Sequence, residues 1–152
     1  MSASATAVYY LDGDAEVKTL RPDGTVRSAI GVPGGFDNRV AFAVDPEDRR
    51  VAVTVAHFGP PPAACSTNCE PTVSFRLDVE DLRGAGRVDV ALPAGLSGYG
   101  AVAYPVGWRN MILVTAMSAG VTNPQSWHNP YGAYEFPLID VASGESAPLI
   151  RL

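Results

Sequence analysis

Apolar residues occur along this chain in short runs rich in β-branched residues, and Gly, Pro, Asp or Asn separate the runs. Runs of this length and composition are typical of β-strands. No segment of ten or more residues has apolar positions at helical spacing. We therefore predict an all-β fold, with strands near residues 7–12, 15–20, 25–30, 39–45, 50–57, 73–79, 86–92, 99–105, 110–117, 133–140 and 146–151.

The strand pattern repeats with an offset of 61 residues. The matched residues are Val53-Thr54 with Val114-Thr115, Phe75 with Phe136, and Leu77 with Leu138. Each repeat holds four predicted strands, one set in 39–92 and the other in 99–152. Four antiparallel strands that recur in this way are typical of the blades of a β-propeller.

Two kinds of segment resemble a known family. Residues 42–54, with Asp45-Pro46-Glu47-Asp48 at their centre, resemble the hairpin of TolB-like and YVTN-type β-propellers. Residues 77–82 and 138–145 resemble the third-strand segment of such blades. The hairpin departs from the family motif at Glu47-Asp48, where the family has Asp-Gly. The resemblance implies a partial blade over 1–38 and blades over 39–98 and 99–152.

Two and a half blades do not close a ring, because propellers use about four to eight blades. We therefore expect an incomplete β-propeller whose ring needs further blades or self-association, and the alternative is a β-sandwich. The run 111–117 is almost continuously apolar. Such a strand needs cover on both faces, which neighbouring blades would supply.

The connections between the predicted strands are unequal in length, which predicts one functional face. The long ones, 31–38, 58–72, 93–98 and 118–132, would share one end of the blades, and long loops on a rigid scaffold commonly carry binding groups. The most informative loop holds aromatic and polar side chains that suit a sugar or a peptide: Trp127, His128, Asn129 and Tyr131. Alternatively, Trp127 and Tyr131 pack within their own loop.

Three more candidates lie at this end. Asp37 and Asn38 occupy a connection between blades and could face a central cavity, although turn formation and strand capping would also explain them. His57 ends a strand beside the cysteine-containing loop. Its alternative role is a structural hydrogen bond.

Cys65 and Cys69 lie close together in a loop rich in Pro and small residues. We predict a disulfide between them, which implies an oxidising compartment. A zinc site is a weaker interpretation, because about four ligands are needed and the chain offers only His57 and His128 in addition. Two free thiols are the remaining alternative.

The net charge and the composition limit the classes of partner that this chain is expected to bind. The net charge is −5, which excludes a general nucleic-acid binder, because phosphate contact favours a basic face. No apolar run approaches the ~20 residues of a membrane-spanning helix. The residue usage resembles that of a bacterial high-GC genome, and we expect an extracytoplasmic location. The first residues lack the pattern of a secretion signal, so a signal or anchor would lie outside this sequence.

Motifs for catalysis are incomplete. Residues 95–99 imitate a nucleophile elbow but end in Tyr99, and residues 12–17 imitate a calcium loop but have Val17 where Gly is required. We predict no metal and no cofactor. The sequence favours a non-catalytic binding or scaffold module that holds a protein, peptide or glycan on its long-loop face. The alternative is a propeller hydrolase or lyase with a central-pocket active site.

Overall fold

A computed structural model gives the fold of the chain and describes residues 1–13, 15–61, 63–64, 71–83, 86–90, 102–118, 135–143 and 145–151. These residues form β-strands and turns, with no helix among them. The prediction of an all-β fold is confirmed. Short runs rich in β-branched residues favour strands, and the frequent turn residues between them end each strand.

The described strands form three sheets of four antiparallel strands, each a meander in chain order. The first sheet contains β1 (Ser2–Ala3), β2 (Val8–Asp12), β3 (Glu16–Leu20) and β4 (Val26–Gly31). The second contains β5 (Asn38–Val44), β6 (Arg50–Gly59), β7 (Thr72–Asp81) and β8 (Arg87–Asp89). The third contains β9 (Val102–Arg109), β10 (Ile112–Ser118), β11 (Glu135–Asp140) and β12 (Ser146–Arg151).

The first sheet has a fourth strand that the sequence pattern did not predict. That strand, β1, is only two residues long and pairs Ser2 with Tyr9 and Ala3 with Val8. A Ser-Ala pair has no apolar pattern from which a strand could be predicted. Tertiary contact holds it in place, since the Val44 backbone N–H donates a 3.0 Å hydrogen bond to Ser2 Oγ.

The second sheet, which is the middle one of the three, is covered on both faces, because alternate residues of β6 pack in two different cores. Val51, Val53 and Val55 pack in a core shared with the first sheet. The alternate residue Ala52 packs in a core that contains Leu113 and Ile139 of the third sheet. Because successive side chains of a strand point to opposite faces, one strand contributes to two cores. Burial of these apolar surfaces is the main force that joins the three sheets.

The first strands of the sheets lie next to one another, β1 beside β5 and β5 beside β9. Side-chain hydrogen bonds between described residues, one buried and one part-buried, join the second sheet to the third. Thr54 Oγ1 donates to the Ala103 carbonyl at 2.6 Å, and Trp108 Nε1 donates to the Ala43 carbonyl at 2.9 Å. The three described sheets follow one another in series and do not close on themselves.

The strand predicted at 110–117 is β10, and its two faces differ in burial. Leu113 and Thr115 are fully buried, and Leu113 packs with residues of the second sheet. Ile112, Val114 and Ala116, on the opposite face, are half-buried. Val114 pairs with Leu138 of β11, which is also half-buried. The third sheet therefore presents an apolar outer face that is partly open to solvent.

Asp48 lies in the hairpin between β5 and β6 and connects this hairpin to the first sheet. Asp48 has a φ of 55°, a left-handed conformation that favours Gly and that Asp tolerates better than most residues. Its carboxylate accepts a 2.7 Å hydrogen bond from the Tyr9 hydroxyl and another from the Thr6 hydroxyl. Asp48 thus ties the second sheet to the first, which a glycine could not do.

These contacts shift the pKa values of Asp48 and Tyr9. Burial, the largest effect on Asp48, raises the pKa of its carboxyl, but hydrogen bonds from hydroxyl groups such as Thr6 and Tyr9, together with the charge of Arg21, bring the pKa below its ordinary value. Burial raises the pKa of the Tyr9 phenol strongly, and the hydrogen bond to Asp48 adds to the rise. Each group is therefore held in the form that keeps this hydrogen bond.

The lowered pKa of Asp48 predicts an acid-sensitive contribution to stability. This contribution is present above the pKa of an unfolded Asp, about 4, and is lost as the pH falls through the lower folded pKa. The free energy of unfolding of the wild type should fall between pH 5 and pH 2 more steeply than that of Asp48→Asn, measured by urea titration. Asp37→Asn, which removes an exposed carboxylate, is the control and should keep the wild-type slope. Equal slopes in the wild type and Asp48→Asn would contradict the assignment.

Candidate functional site

A cavity of about 330 Å³ opens at the end of the second sheet where β5 starts and β6 ends. This end carries the connections that were predicted to be long. Its lining is Pro33, Asn38, Val55, His57, Ser74, Phe75 and Arg76. Two of these residues, Asn38 and His57, are among the candidates predicted from the sequence.

Strand register explains why polar side chains from three strands meet here. His57 of β6 pairs with Asn38 of β5 on one side and with Ser74 of β7 on the other. Paired residues in neighbouring strands lie on the same face of a sheet. The next row on this face pairs Val55 with Arg76, so one sheet face supplies most of the lining.

The hydrogen bonds of Asn38 fix the orientation of His57. Asn38 Nδ2 donates to the Gly34 carbonyl at 2.8 Å, so Asn38 Oδ1 is the acceptor that faces the histidine. His57 Nδ1 lies 3.0 Å from Asn38 Oδ1 and therefore donates to it. In the neutral ring, Nε2 is left as a hydrogen-bond acceptor. The exposed imidazole thus has a fixed orientation and one ring nitrogen for a ligand.

The segment between β4 and β5 builds one wall of the cavity. Gly35 has a φ of 118°, a left-handed conformation that side chains rarely adopt, and its carbonyl accepts a 3.1 Å hydrogen bond from the Asn38 backbone N–H. The turn over these residues brings the Gly34 carbonyl within reach of the Asn38 amide. A main-chain turn therefore positions the Asn38 side chain that orients His57.

Asp37 is not among the lining residues, unlike its neighbour Asn38. Its carboxylate is on an exposed residue, and its backbone carbonyl accepts a 2.8 Å hydrogen bond from the Phe58 N–H. The bond extends the pairing of β5 and β6 by one step beyond Asn38. The described contact of Asp37 with β6 is therefore made through its main chain.

Arg76 is held near the cavity by an ion pair. Its Nε lies 3.2 Å from Oδ2 of Asp78, a buried carboxylate two residues along the same strand face. About half of the Arg76 side chain is exposed. Neither Arg76 nor Ser74 was predicted to belong to a site, because only the register of β6 with β7 places them beside His57.

Six other candidates lie outside the described residues. They are Trp127, His128, Asn129 and Tyr131 of the aromatic loop, and Cys65 and Cys69 of the predicted disulfide. A role in ligand binding for the first four, and a covalent bond between the last two, remain predictions.

Most polar side chains that line the cavity are hydrogen-bonding groups. The lining combines an imidazole, an amide and a hydroxyl with one guanidinium and the ring of Phe75. Among the described residues, the lining contains no carboxylate to act beside His57 as an acid or base, and no group of three His, Cys, Asp or Glu side chains could hold a metal ion. The arrangement suits recognition of a polar ligand.

The described part of the chain has no helix long and apolar enough to cross a membrane. No family model matches this chain, and no curated protein matches it either.

Proposed function

We propose that this chain is a non-catalytic ligand-binding module of a bacterial extracytoplasmic β-propeller protein, with its ligand held on the long-loop face. The observation that carries the proposal is the cavity of about 330 Å³ at that end of the second sheet. It contains a histidine that a neighbouring amide orients, in a scaffold of paired strands.

Two features of the fold support propeller-like blades over a sandwich. The first strand of each sheet lies beside the first strand of the next, as in blades arranged around an axis. The middle sheet is covered on both faces, whereas each sheet of a two-layer sandwich packs on one. In this proposal, further blades or a second copy would cover the apolar outer face of β10.

The cavity favours a neutral glycan as the ligand. Sugar hydroxyls both donate and accept hydrogen bonds, and they suit the side chains of His57, Ser74 and Asn38. Phe75 adds an aromatic ring to the lining. The predicted aromatic loop, with Trp127 and Tyr131, would extend such a surface.

Titration of the protein with neutral oligosaccharides and with unmodified peptides, followed by amide chemical shifts, tests the proposal. We expect saturable shifts at the residues around the cavity with an oligosaccharide. His57→Ala and Ser74→Ala should each weaken binding about five- to tenfold, because each removes one hydrogen bond to the ligand.

Ser143→Ala is the matched control, because Ser143 is an exposed turn residue outside this cavity, and this variant should bind the oligosaccharide as the wild type does. Saturation by peptides alone, weakened by His57→Ala, would keep the site and overturn the ligand class. Binding that is unchanged in His57→Ala and Ser74→Ala would overturn the site itself.

A further inference from the structure

A second cavity, of about 310 Å³, lies at the opposite end of the same core, between the first and second sheets. The short turns β1–β2, β3–β4, β5–β6 and β7–β8 meet there. Its lining is Thr6, Ala7, Tyr9, Thr19, Arg21, Arg27, Ser28, Ala29, Asp48, Leu82 and Arg83. Val55 borders the first cavity and Tyr9 the second, and both belong to one core.

Three of the lining residues are arginines, contributed by three different parts of the fold. Arg21 follows β3, Arg27 lies in β4, and Arg83 lies in the turn after β7. None of their side chains forms an ion pair or a hydrogen bond with another described residue. By contrast, Arg49 is paired with Asp45 and Glu47, and Arg76 with Asp78.

The charge of this cavity is opposite to that of the chain. Three guanidinium groups against the single carboxylate of Asp48 leave two positive charges in the lining, in a protein whose net charge is −5. Asp48 is already engaged, because its two oxygens accept hydrogen bonds from Tyr9 and Thr6. It is therefore not free to pair fully with an arginine.

We propose that this cavity binds a multiply charged oxyanion of the phosphate-monoester class through Arg21, Arg27 and Arg83. Guanidinium groups bind phosphate and carboxylate oxygens through two parallel hydrogen bonds, which gives both charge and geometry. Three such groups around one cavity match an anion that carries more than one charge.

The size of the cavity adds a constraint on the ligand. A volume of about 310 Å³ is in the range of small-molecule sites, and it exceeds what a bare phosphate ion fills. The apolar groups of Ala7, Ala29 and Leu82 offer contact to the uncharged part of a ligand. A phosphorylated small molecule or a phosphorylated side chain fits this combination better than the free ion.

Binding of phosphoserine and of inorganic phosphate, measured by calorimetry and by amide chemical shifts, tests the proposal against sodium chloride at equal ionic strength. We expect phosphoserine to saturate with a dissociation constant of about 1 mM or lower. The shifts should be concentrated in residues 4–7, 21–29 and 82–83. Arg21→Gln, Arg27→Gln and Arg83→Gln should each weaken binding about tenfold, since each removes a charged hydrogen-bond donor.

Arg109→Gln is the matched control. It removes the same charge from an exposed arginine outside the cavity, and it should leave binding unchanged. Asp48→Asn gives a change in the opposite direction, because it removes the only carboxylate in the described lining and keeps an acceptor for Tyr9. It should tighten binding about two- to fivefold.

The outcomes separate specific binding from general attraction to a positive surface. No saturation by phosphoserine, or a loss in Arg109→Gln equal to that in Arg27→Gln, would overturn the proposal. Weaker binding in Asp48→Asn, with an amide spectrum that shows an intact fold, would overturn it as well. Binding at the first cavity, which His57 and Ser74 line, is tested with neutral probes and with different variants. Failure of either proposal therefore leaves the other standing.

Discussion

Leu113→Ala is expected to lower the free energy of unfolding by about 2–5 kcal/mol. Leu113 of β10 is fully buried and packs with Leu77 and Val79 of β7 in the core between the second and third sheets. Truncation removes apolar contacts and leaves a cavity that the sheets on either side fill only in part. Urea unfolding followed by far-UV circular dichroism measures the loss.

Leu20→Ala is the matched control for this substitution. Leu20 of β3 is 40% exposed and takes part in no described core, so the same truncation should cost less than about 1 kcal/mol. Similar losses in the two variants would mean that the third sheet is not packed on the second as described.

Thr54→Val should lower the free energy of unfolding by about 1–3 kcal/mol. Thr54 is fully buried, and its hydroxyl donates a 2.6 Å hydrogen bond to the Ala103 carbonyl of the neighbouring sheet. Valine has almost the same shape, so the packing is kept while the bond between the sheets is lost. Urea midpoints of the two proteins give the difference.

Thr19→Val provides the comparison. The Thr19 hydroxyl also donates to a backbone carbonyl, that of Arg27 at 3.3 Å, but the pair is exposed to water. Water can replace the lost partner there, so the change should be within about 0.5 kcal/mol. A loss in Thr54→Val no greater than in Thr19→Val would show that the buried bond contributes nothing to joining the sheets.

Most of the fold could be predicted from local pattern. The runs at 39–45, 50–57 and 73–79 correspond to β5, β6 and β7, with boundaries that differ by at most two residues. Runs rich in β-branched residues and the turn residues between them are local signals, which need no knowledge of the partner strand. β1 was missed because tertiary contacts hold its two residues in the sheet, and these leave no local pattern.

The candidate site was predicted in part. Asn38 and His57 stand at the ends of strands beside predicted long connections, and both line the cavity. Ser74 and Arg76 were missed because their position depends on the register of β7 against β6. Register is a property of two strands together, so one strand's sequence does not reveal it.

The arginine cavity was missed for a different reason. Arg21, Arg27 and Arg83 have no motif spacing, and the last two are 56 positions apart in the sequence. Isolated arginines in a sequence are most simply interpreted as surface charge. Only the packing of the first sheet on the second brings these three arginines and the Asp48 carboxylate to one cavity.

The hydrogen bonds between the first nine residues and the β5–β6 hairpin have a consequence for synthesis on the ribosome. Ser2 accepts from the Val44 N–H, the Ala5 N–H donates to the Pro46 carbonyl, and Tyr9 donates to Asp48. The start of the chain is made about 40 residues before its partners. Since chains are synthesised from the N-terminus, residues 2–9 can form these hydrogen bonds only after the β5–β6 hairpin has been made.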